Sequence, residues 1–410
     1  MAQNLLTPGV IAKEGLAQLN NNLVAAKTVY RGYEPEFTDG KIGDTLTIRK
    51  PVKYAVRTGN VAKMQDAAEG TVQIKLAYQR GVDLRFPTKD LTLSIDNFAN
   101  RYLKHPMIAL ANQVDLDVLS LSKYVWNWTG TPGNSISSFR ALSRGSQRLD
   151  EMAVPTPRSG IMSPDDYYNV ASTFTGVYVS DVAKTAIQKA KLPMISNVDW
   201  YASQNVLQYT TGATRIGTPV ISSTVSVNGV LNTGLTTWLA AKDTNQSTIL
   251  VDGFTSAALN QGDVFTIAGV YAVNPVTKQQ LPYLQQFVVA ANANISSNAS
   301  ALTISPAIIT TGPYQTVSAA PAANAALTFL GTPGATYPQN LVFAENAFAL
   351  CMVPMELPGG ASRKSRASYE GLSIRVIEDY DIINDVNMWR LDILYGVAPI
   401  YPDLATRISG

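Results

Sequence analysis

Residues 372–397, LSIRVIEDYDIINDVNMWRLDILYGV, contain two runs in which apolar and polar residues alternate. The first run is Leu372 to Glu378 and the second is Asn387 to Val397. Alternation with a period of two is typical of β-strands that bury one face. The residues between the runs are mostly acidic or polar. We therefore predict two strands joined by a polar turn, preceded by a further strand at Leu341 to Cys351.

The N-terminal eighty residues predict a short helix followed by a two-stranded flap. Thr7-Pro8 is a helix-start signal, with Thr7 as the N-cap and Pro8 at the first helical position. Thr45 to Arg49 and Thr71 to Tyr78 alternate as strands, and a polar interval joins them. A long two-stranded flap is marginal alone. We expect it to lie on a neighbouring chain and to make few contacts with its own.

The middle of the chain predicts several helices. The expected helical segments are Ser94 or Asp96 to Tyr102, Pro106 to about Trp126, Ser137 to Met152 with Phe139, Leu142 and Leu149 as its apolar residues, a segment opened by Ser163-Pro164-Asp165-Asp166, and Val182 to Leu192.

Residues 217–340 differ sharply in composition from the rest of the chain. The whole chain has 32 Lys and Arg and 30 Asp and Glu. This segment holds only five of those charges, at Lys242, Asp243, Asp252, Asp263 and Lys278. Short alternating runs separated by Gly and Pro turns predict an all-β sandwich or barrel. We interpret the segment as a separate domain with both of its ends close together.

The overall composition favours a protein that buries much of its surface against other chains. Charged residues make up 15% of the chain, against about 25% in an average soluble domain. The net charge of +2 gives no strong electrostatic footprint for nucleic acid. The N-terminus lacks a secretory signal pattern, and no apolar run reaches the length of a membrane span.

The sequence predicts no catalytic, cofactor-binding or metal-binding residue. His105 is the only histidine, and its position before Pro106 favours a helix junction over a catalytic dyad. Cys351 is the only cysteine, and its apolar neighbours favour a buried position over a nucleophile. No phosphate-binding or nucleotide-binding glycine motif occurs in the sequence.

Two charged clusters carry weaker alternatives. Glu378 to Asp385 could suggest calcium, but it lacks the central glycine and terminal glutamate of an EF-hand loop. Arg363-Lys364-Ser365-Arg366 could contact phosphate, or it could be a solvated loop or the site of a salt bridge between subunits. The glycosylation-type matches at Asn127, Asn245, Asn294 and Asn298 mean little without a secretory route.

Several of these segments resemble the coat proteins of tailed bacteriophages, and in particular the podovirus branch. The similar segments are Asp96 to Gln113, Ser163 to Tyr167, Val342 to Ala344, Gly262 to Val270, and Ile374 to Asp381 with Asp385, Arg390, Asp392 and Leu394 to Val397. Gly262 to Val270 is similar to the core strand of the telokin-like insertion domain of that branch. Ala291 to Gly334 matches no element of the family that we can place.

The resemblance implies an α+β fold, the tailed-phage major capsid protein fold, with an inserted all-β barrel or sandwich domain. The segments that it implies are an N-terminal arm (1–43), an extended loop (44–93), the spine helix with the first part of the peripheral domain (94–155), the first part of the axial domain (156–216), the inserted domain (217–340), the second part of the axial domain (341–371), and the return strands with the C-terminus (372–410).

The function implied by the resemblance is that of a non-enzymatic major capsid protein. Copies would form pentamers and hexamers of an icosahedral shell around a scaffolding protein, with a portal protein at one vertex, in the host cytoplasm. Packaged double-stranded DNA would touch the shell through weak, non-specific contacts. A decoration protein is a further candidate partner, and no cofactor or membrane is implied.

Three other interpretations remain open at this point. A phage tail or decoration protein fits the charge-poor β segment, but not the spine-helix region. An encapsulin-like compartment shares the fold class, but not the inserted domain. An enzyme with a carbohydrate-binding β domain is the most distant alternative. Some family members crosslink a flap lysine to a neighbouring asparagine, and Lys53, Lys63 and Lys75 are available for this; we expect no such crosslink.

Overall fold

The structure is a computed structural model, and it describes part of the chain. The described residues are 8–35, 43–54, 56–57, 59–62, 64, 69–87, 103–173, 192, 194–223, 226–227, 230–231, 246–296, 300–361 and 363–410. The predicted N-cap Thr7, the helix predicted at 94–102 and nearly all of the one predicted at 182–192 lie outside these residues, as do Lys63, Lys242, Asp243, Asn245 and Asn298.

Four α-helices occur in the described residues: α1 (Pro8–Asn22), α2 (Lys104–Leu119), α3 (Phe139–Glu151) and α4 (Pro164–Thr173). Short 3-10 segments follow at Ala25–Lys27, Ser120–Tyr124, Glu345–Ala347 and Pro402–Leu404. No described helix is long and apolar enough to span a membrane.

The strands, in chain order, are β1 (Thr45–Arg49), β2 (Thr71–Lys75), β3 (Tyr78–Pro87), β4 (Trp128–Thr129), β5 (Arg158–Met162), β6 (Val198–Ala202), β7 (Gln208–Thr210), β8 (Thr214–Ile221), β9 (Ser226–Val227), β10 (Val230–Leu231), β11 (Ser247–Leu259), β12 (Val264–Val273), β13 (Gln280–Val289), β14 (Ala293–Ile295), β15 (Ser300–Ser305), β16 (Leu327–Phe329), β17 (Thr336–Pro338), β18 (Asn340–Ala344), β19 (Phe348–Met352), β20 (Arg363–Tyr369), β21 (Leu372–Asp381), β22 (Val386–Pro399) and β23 (Ala405–Ile408).

The chain divides into two compact units. The first contains Met1–Thr47, Gln73–Leu119 and Phe348–Ala398, and the second contains Ile48–Val72, Ser120–Ala347 and Pro399–Gly410. Each unit is thus built from stretches that are far apart in sequence. The seven predicted segments stay predictions.

The first unit is a helix layer on an antiparallel sheet. Its strands run in the order β19-β22-β21-β20, and β3 pairs with β22 over ten residues. Helix α1 lies against α2 and against β20 and β21. A Cβ at Gly15 would stand 3.5 Å from Met107 and 3.7 Å from Ile374, which are ordinary van der Waals distances, so α1 packs against both layers here with room for an alanine. The buried Asp115 carboxylate accepts the backbone N–H groups of Val24 and Ala26 and fixes the turn after α1.

The second unit contains a five-stranded sheet, in the order β4-β23-β18-β5-β6, covered by α3 and α4. The predicted helix start at Ser163 is confirmed, because its hydroxyl accepts the Asp166 N–H and donates to the Asp166 carboxylate. That carboxylate also accepts from the amide of Asn340 and from the Ile136 N–H. The helix start is therefore bound to the middle strand of the sheet.

The same unit contains a closed β-barrel. Its strands follow the order β8-β11-β15-β13-β12-β16, with β14 beside β15 on β11. A bridge between Val220 and Ala326 and the bond from the Ile221 N–H to the Ala325 carbonyl close the ring. The interior holds apolar side chains, among them Phe265 and Phe287. Closure pairs the two outer strands of the ring, so among the described barrel residues no long strand edge is left free for pairing with another chain.

The two ends of the barrel segment meet. Strand β7 pairs antiparallel with β17, and Thr210 stands opposite Thr336. The barrel's first strand begins at Thr214, three residues before the predicted boundary, and Asn340 is already part of the host sheet. Ala291 to Gly334, which resembled nothing that we could place, supplies β14, β15 and β16.

Two local predictions were wrong, one apolar helix residue lies at the surface, and one strand was missed. The helix predicted from Pro106 to about Trp126 ends at Leu119. The 3-10 turn Ser120–Tyr124 follows and leads the chain towards β4 at Trp128. The run Leu341 to Cys351 is two strands, β18 and β19, in different sheets. Phe139 is 54% exposed, because it is the first residue of α3 and the buried face begins at Ala141. Strand β3 was missed beyond Tyr78.

We predict that residues 208–338 fold alone, because this fragment keeps the β7–β17 pair and the closed ring of strands. The expected result is a β-type circular dichroism spectrum and one cooperative thermal transition. The fragment 217–340 should melt at a lower temperature, because it lacks Tyr209, Gly212 and Arg215, which all donate hydrogen bonds to Asp263. A disordered 208–338 fragment would contradict independent folding.

Candidate functional site

The residues considered for catalysis do not come together. His105 is exposed in the first turn of α2, and Cys351 is fully buried in β19 with its thiol free of any disulfide. Across the described ranges, no group of three or more His, Cys, Asp or Glu side chains could hold a metal ion.

The acidic segment after β21 is a turn whose carboxylates bind their own backbone and neighbours. Asp381 accepts the Asn384 amide at 2.6 Å and the Ile383 N–H at 2.9 Å, and these bonds lower the pKa of Asp381. The Tyr380 hydroxyl donates to Asp385. The prediction of a polar turn between two strands is confirmed. The tip also exposes Ile383, with 88% of its surface accessible.

The basic cluster lies on a strand, so its interpretation as a loop was wrong. Arg363 to Arg366 form the first half of β20, which pairs with β21. Arg363 forms an ion pair with Glu378 at 3.6 Å, and Lys364 donates to the Pro358 carbonyl. Burial raises the pKa of Glu378, and Arg363 opposes that shift.

Two buried ionic groups join the strands of the first unit. The Asp392 carboxylate, 2.6 Å from Arg375 and 2.8 Å from Arg390, bridges β21 and β22. Tyr395 donates its hydroxyl to Asp117 at 2.5 Å, and Arg80 pairs with the same carboxylate at 3.3 Å. The second group links α2 to β22 and to β3. Sequence alternation signalled these strands but not which charges would meet.

The flap combines a fixed base with an exposed tip. At the base, the Lys53 backbone N–H donates to the Tyr314 hydroxyl at 2.9 Å, and the Lys50 ammonium lies over the Tyr401 ring. At the tip, Val56 is 97% exposed and Met64 is 95% exposed. The expected scarcity of contacts within the chain therefore holds for the described part of the tip but not for the base.

The paired strands β7 and β17 form the stem of the barrel. Asp263 lies at the contact between the barrel and this stem. Its buried carboxylate accepts hydrogen bonds from the Tyr209 hydroxyl at 3.0 Å, the Gly212 N–H at 3.1 Å, the Asn260 N–H at 3.0 Å and Arg215 at 3.1 Å. Four donors fill the acceptor positions of a carboxylate. A Cβ at Gly212 would stand 2.2 Å from the Ala258 carbonyl oxygen, so only glycine permits this approach.

Arg407 connects the C-terminal strand to the barrel. Its fully buried guanidinium donates to the Gly262 carbonyl at 3.1 Å and to Gln339 at 3.0 Å. The guanidinium carbon lies 5.3 Å from the centre of the Trp128 ring and 5.9 Å from that of Tyr209, within the range of a cation–π contact. Burial lowers the pKa of Arg407 to about 10, so the group keeps its charge at neutral pH.

An amide pair and an aromatic contact also hold the barrel. Together with Asp263 and Arg407 they form what we call the anchor of the barrel. Gln286 of β13 accepts the Trp128 N–H at 2.7 Å and donates to the Trp128 carbonyl at 2.8 Å. Arg148 of α3 stacks on Tyr283 at 3.5 Å from the ring centre. As tyrosines of a charge-poor domain, Tyr271, Tyr283 and Tyr314 are expected from the sequence to be exposed contact residues; all three are only partly exposed, and the last two contact the rest of their own unit.

The anchor residues are far apart in sequence and follow no local pattern, so they could not be predicted as a group. Asp263 could have been singled out as one of five charges in a charge-poor segment. Arg407 lies 144 positions further along the chain, and no spacing rule connects the two. Gln286 carries no signal at all, because an isolated glutamine in a strand is ordinary.

We predict that Asp263→Ala destabilises the full-length chain by about 3–5 kcal/mol, because it leaves the buried Arg215 and three other donors without their acceptor. Urea unfolding followed by tryptophan fluorescence measures this loss. Asp252→Ala is the matched control, since that partly exposed carboxylate of β11 bonds only to the next N–H. Equal effects of the two changes would show that Asp263 is not the anchor.

Comparison with solved structures gives several capsids of low sequence identity. A structure from Mycobacterium phage Che8 is 12% identical, with 94% of this chain and 90% of that chain covered and a TM-score of 0.48. The mature capsid of bacteriophage PhiM1 is 11% identical, with 90% and 82% covered and a TM-score of 0.41. The CUS-3 coat protein I-domain is 30% identical, with 31% of this chain and 98% of that chain covered and a TM-score of 0.17. No curated protein matches the chain in sequence.

The comparison with protein families covers almost the whole chain. The model of the family described as P22 coat protein, gene protein 5, matches residues 1–409. The predicted resemblance to phage coat proteins and the predicted α+β capsid fold are confirmed. The protein is a structural protein of the virion, a major capsid protein that forms the shell, and not a tail protein, a decoration protein or an encapsulin-like shell. The chain belongs to the P22 coat protein family.

Proposed function

We propose that copies of this capsid protein assemble as pentamers and hexamers around a scaffolding protein, with a portal protein at one vertex, in the host cytoplasm. A decoration protein is a further proposed partner of the finished shell. Packaged double-stranded DNA would touch the inner wall weakly, because a net charge of +2 supplies little attraction to phosphate. We also propose that the protein has no catalytic activity. The exposed His105 and the fully buried Cys351 support this.

The exposed flap tip is the observation that carries the assembly proposal. Val56, Val61 and Met64 are each at least 80% exposed. Apolar side chains that a chain leaves in water gain free energy when a partner covers them. In a shell, the partner that every subunit meets is another copy. The contacts of Lys50 and Lys53 hold the flap base, while the apolar tip stays exposed and available to a neighbour.

The hairpin turn between β21 and β22 offers a second surface of the same kind. Ile382 and Ile383 are more than 80% exposed, and Tyr380 and Met388 are about half exposed. The carboxylates of the turn bond within the turn, so its shape is fixed before any partner arrives. Rigid apolar surfaces bind with a smaller loss of conformational entropy than flexible ones. We propose that this turn also contacts a neighbouring subunit.

We predict that Val56→Asp combined with Val61→Asp prevents closed shells from forming while the monomer stays folded. Both side chains are exposed in the single chain, so its unfolding free energy should change by less than about 0.5 kcal/mol. Electron microscopy of the chain expressed with a scaffolding protein, and thermal unfolding of the monomer, measure the two effects. The control is Val56→Ile with Val61→Ile, which keeps the surface apolar. Normal shells from the aspartate variant would refute the flap contact.

We predict that mature particles contain no covalent crosslinks through the flap lysines. The Lys75 ammonium is 3.3 Å from Asp44, and the Lys53 ammonium lies over the Tyr314 ring of its own chain, so each has a non-covalent partner. Denaturing gels of purified particles should show a single band at the monomer mass of 44.1 kDa. A ladder of multimers that Lys53→Arg or Lys75→Arg removes would contradict this expectation.

A further inference from the structure

A cavity of about 200 Å³ lies between the base of the flap, the barrel and the C-terminal segment of the second unit. Lys50 and Lys53 enter it from the flap, and Lys278 enters it from the turn between β12 and β13. The rings of Trp126, Tyr314 and Tyr401 form part of its wall, and Asp403 supplies one carboxylate. The cavity therefore gathers three ammonium groups against a single carboxylate.

The three lysines have no carboxylate partner among the described residues, since no Asp or Glu oxygen there lies within 4.0 Å of their nitrogens. The Lys50 ammonium lies 5.6 Å from the Tyr401 ring centre, and that of Lys53 lies 6.0 Å from the Tyr314 ring centre. Lys278 reaches only the Gln315 carbonyl, at 3.5 Å. Positive charge is concentrated here, and Asp403 is the one lining carboxylate that offsets part of it.

The charge of the cavity is unfavourable without a ligand. Burial, together with the smaller effect of the nearby Lys53, lowers the pKa of Lys278 to about 8. Burial also lowers the pKa of Lys50, with Asp403 opposing and Lys53 adding to the shift. Desolvation and like-charge repulsion both favour loss of a proton from such a group. An anion in the cavity would reverse the repulsion and restore the charged form.

We propose that this cavity is a binding site for a small multivalent oxyanion of the sulfate or phosphate type. Each of the three ammonium groups lies beside a residue that lines the cavity, so together they can supply donors and charge for such an anion. The bound anion would join the flap base, the barrel and the C-terminal segment, because each of these parts contributes a charged group. Its site would thus fix the direction in which the flap leaves the subunit.

The proposal predicts that the affinity of the cavity for sulfate depends on pH. Free Lys278, with a pKa of about 8, loses its proton as the pH rises from 7 to 9, whereas in the complex it stays protonated. Binding then requires uptake of a proton, and affinity falls by about tenfold between pH 7 and pH 9. Sulfate keeps its charge of −2 throughout this interval, so any pH dependence comes from the protein.

Isothermal titration of the full-length monomer with sulfate, at an ionic strength held constant with sodium chloride, tests the proposal. The expected result is saturable binding, weakened at least tenfold in Lys278→Gln and in Lys50→Gln and unchanged in Lys13→Gln. Lys13 is an exposed residue of α1 outside the second unit, so it controls for net charge. Lys278→Gln removes a charge that the folded state disfavours, and the variant is expected to fold.

The wild-type pH series tests the same site without any substitution. A tenfold loss of sulfate affinity from pH 7 to pH 9 supports the proposal. Absence of saturable binding, equal binding by all four chains, or an affinity that does not change with pH would overturn it.

Discussion

An inserted domain must leave its host and return to it at neighbouring points, because the host chain on either side forms one continuous structure. In this protein the departure follows β6 and the return is β18, and both strands belong to one five-stranded sheet. The β7–β17 pair brings the two connections together, and Asp263 then accepts bonds from residues on the departing connection and from the barrel itself. Because the Asp263 carboxylate accepts hydrogen bonds from the connection and from the barrel, it fixes the orientation of the barrel on its stem.

The contact between the barrel and its stem uses buried charged groups, although the barrel segment contains few charged residues. A buried carboxylate or guanidinium is costly unless nearly every polar atom finds a partner. Asp263 has four donors, whereas the guanidinium of Arg407 has two acceptors and two aromatic rings, and its Nε and Nη2 atoms have no hydrogen-bond partner among the described residues. Aromatic faces carry partial negative charge, so they reduce the cost of those atoms without bonding them. Hydrogen bonds are directional and apolar contacts are not, so this contact fixes the orientation of the barrel more strictly than an apolar contact of similar area would.

Sequence patterns predicted the strands that alternate and failed where the partner was distant. Thr45 to Arg49 was predicted with its observed bounds, because its alternation is complete within five residues. Strand β3 continues through Gly81, whose missing side chain interrupts the pattern; a Cβ there would stand 2.5 Å from Asp392, which explains the glycine. The single run from Leu341 to Cys351 is divided between two sheets by the 3-10 turn Glu345–Ala347, and the polar pair Glu345-Asn346 was the local signal of that break. Charge content separated the barrel from its host, but only coordinates could bring Arg407 to Gly262.

The flap and the barrel are in direct contact, although residues 53 and 314 are far apart in sequence. Tyr314 holds the flap base by accepting the Lys53 N–H, and it lies in the loop between β15 and β16. That loop is fastened by bonds of Thr316 to Ala307 and of Ile309 to Thr316. A barrel that only added bulk to the outside of a subunit would not need this contact. One loop of the barrel contacts the flap base, and another, through the Gly262 carbonyl, contacts Arg407. The barrel therefore positions both the flap base and the C-terminal strand of its own unit.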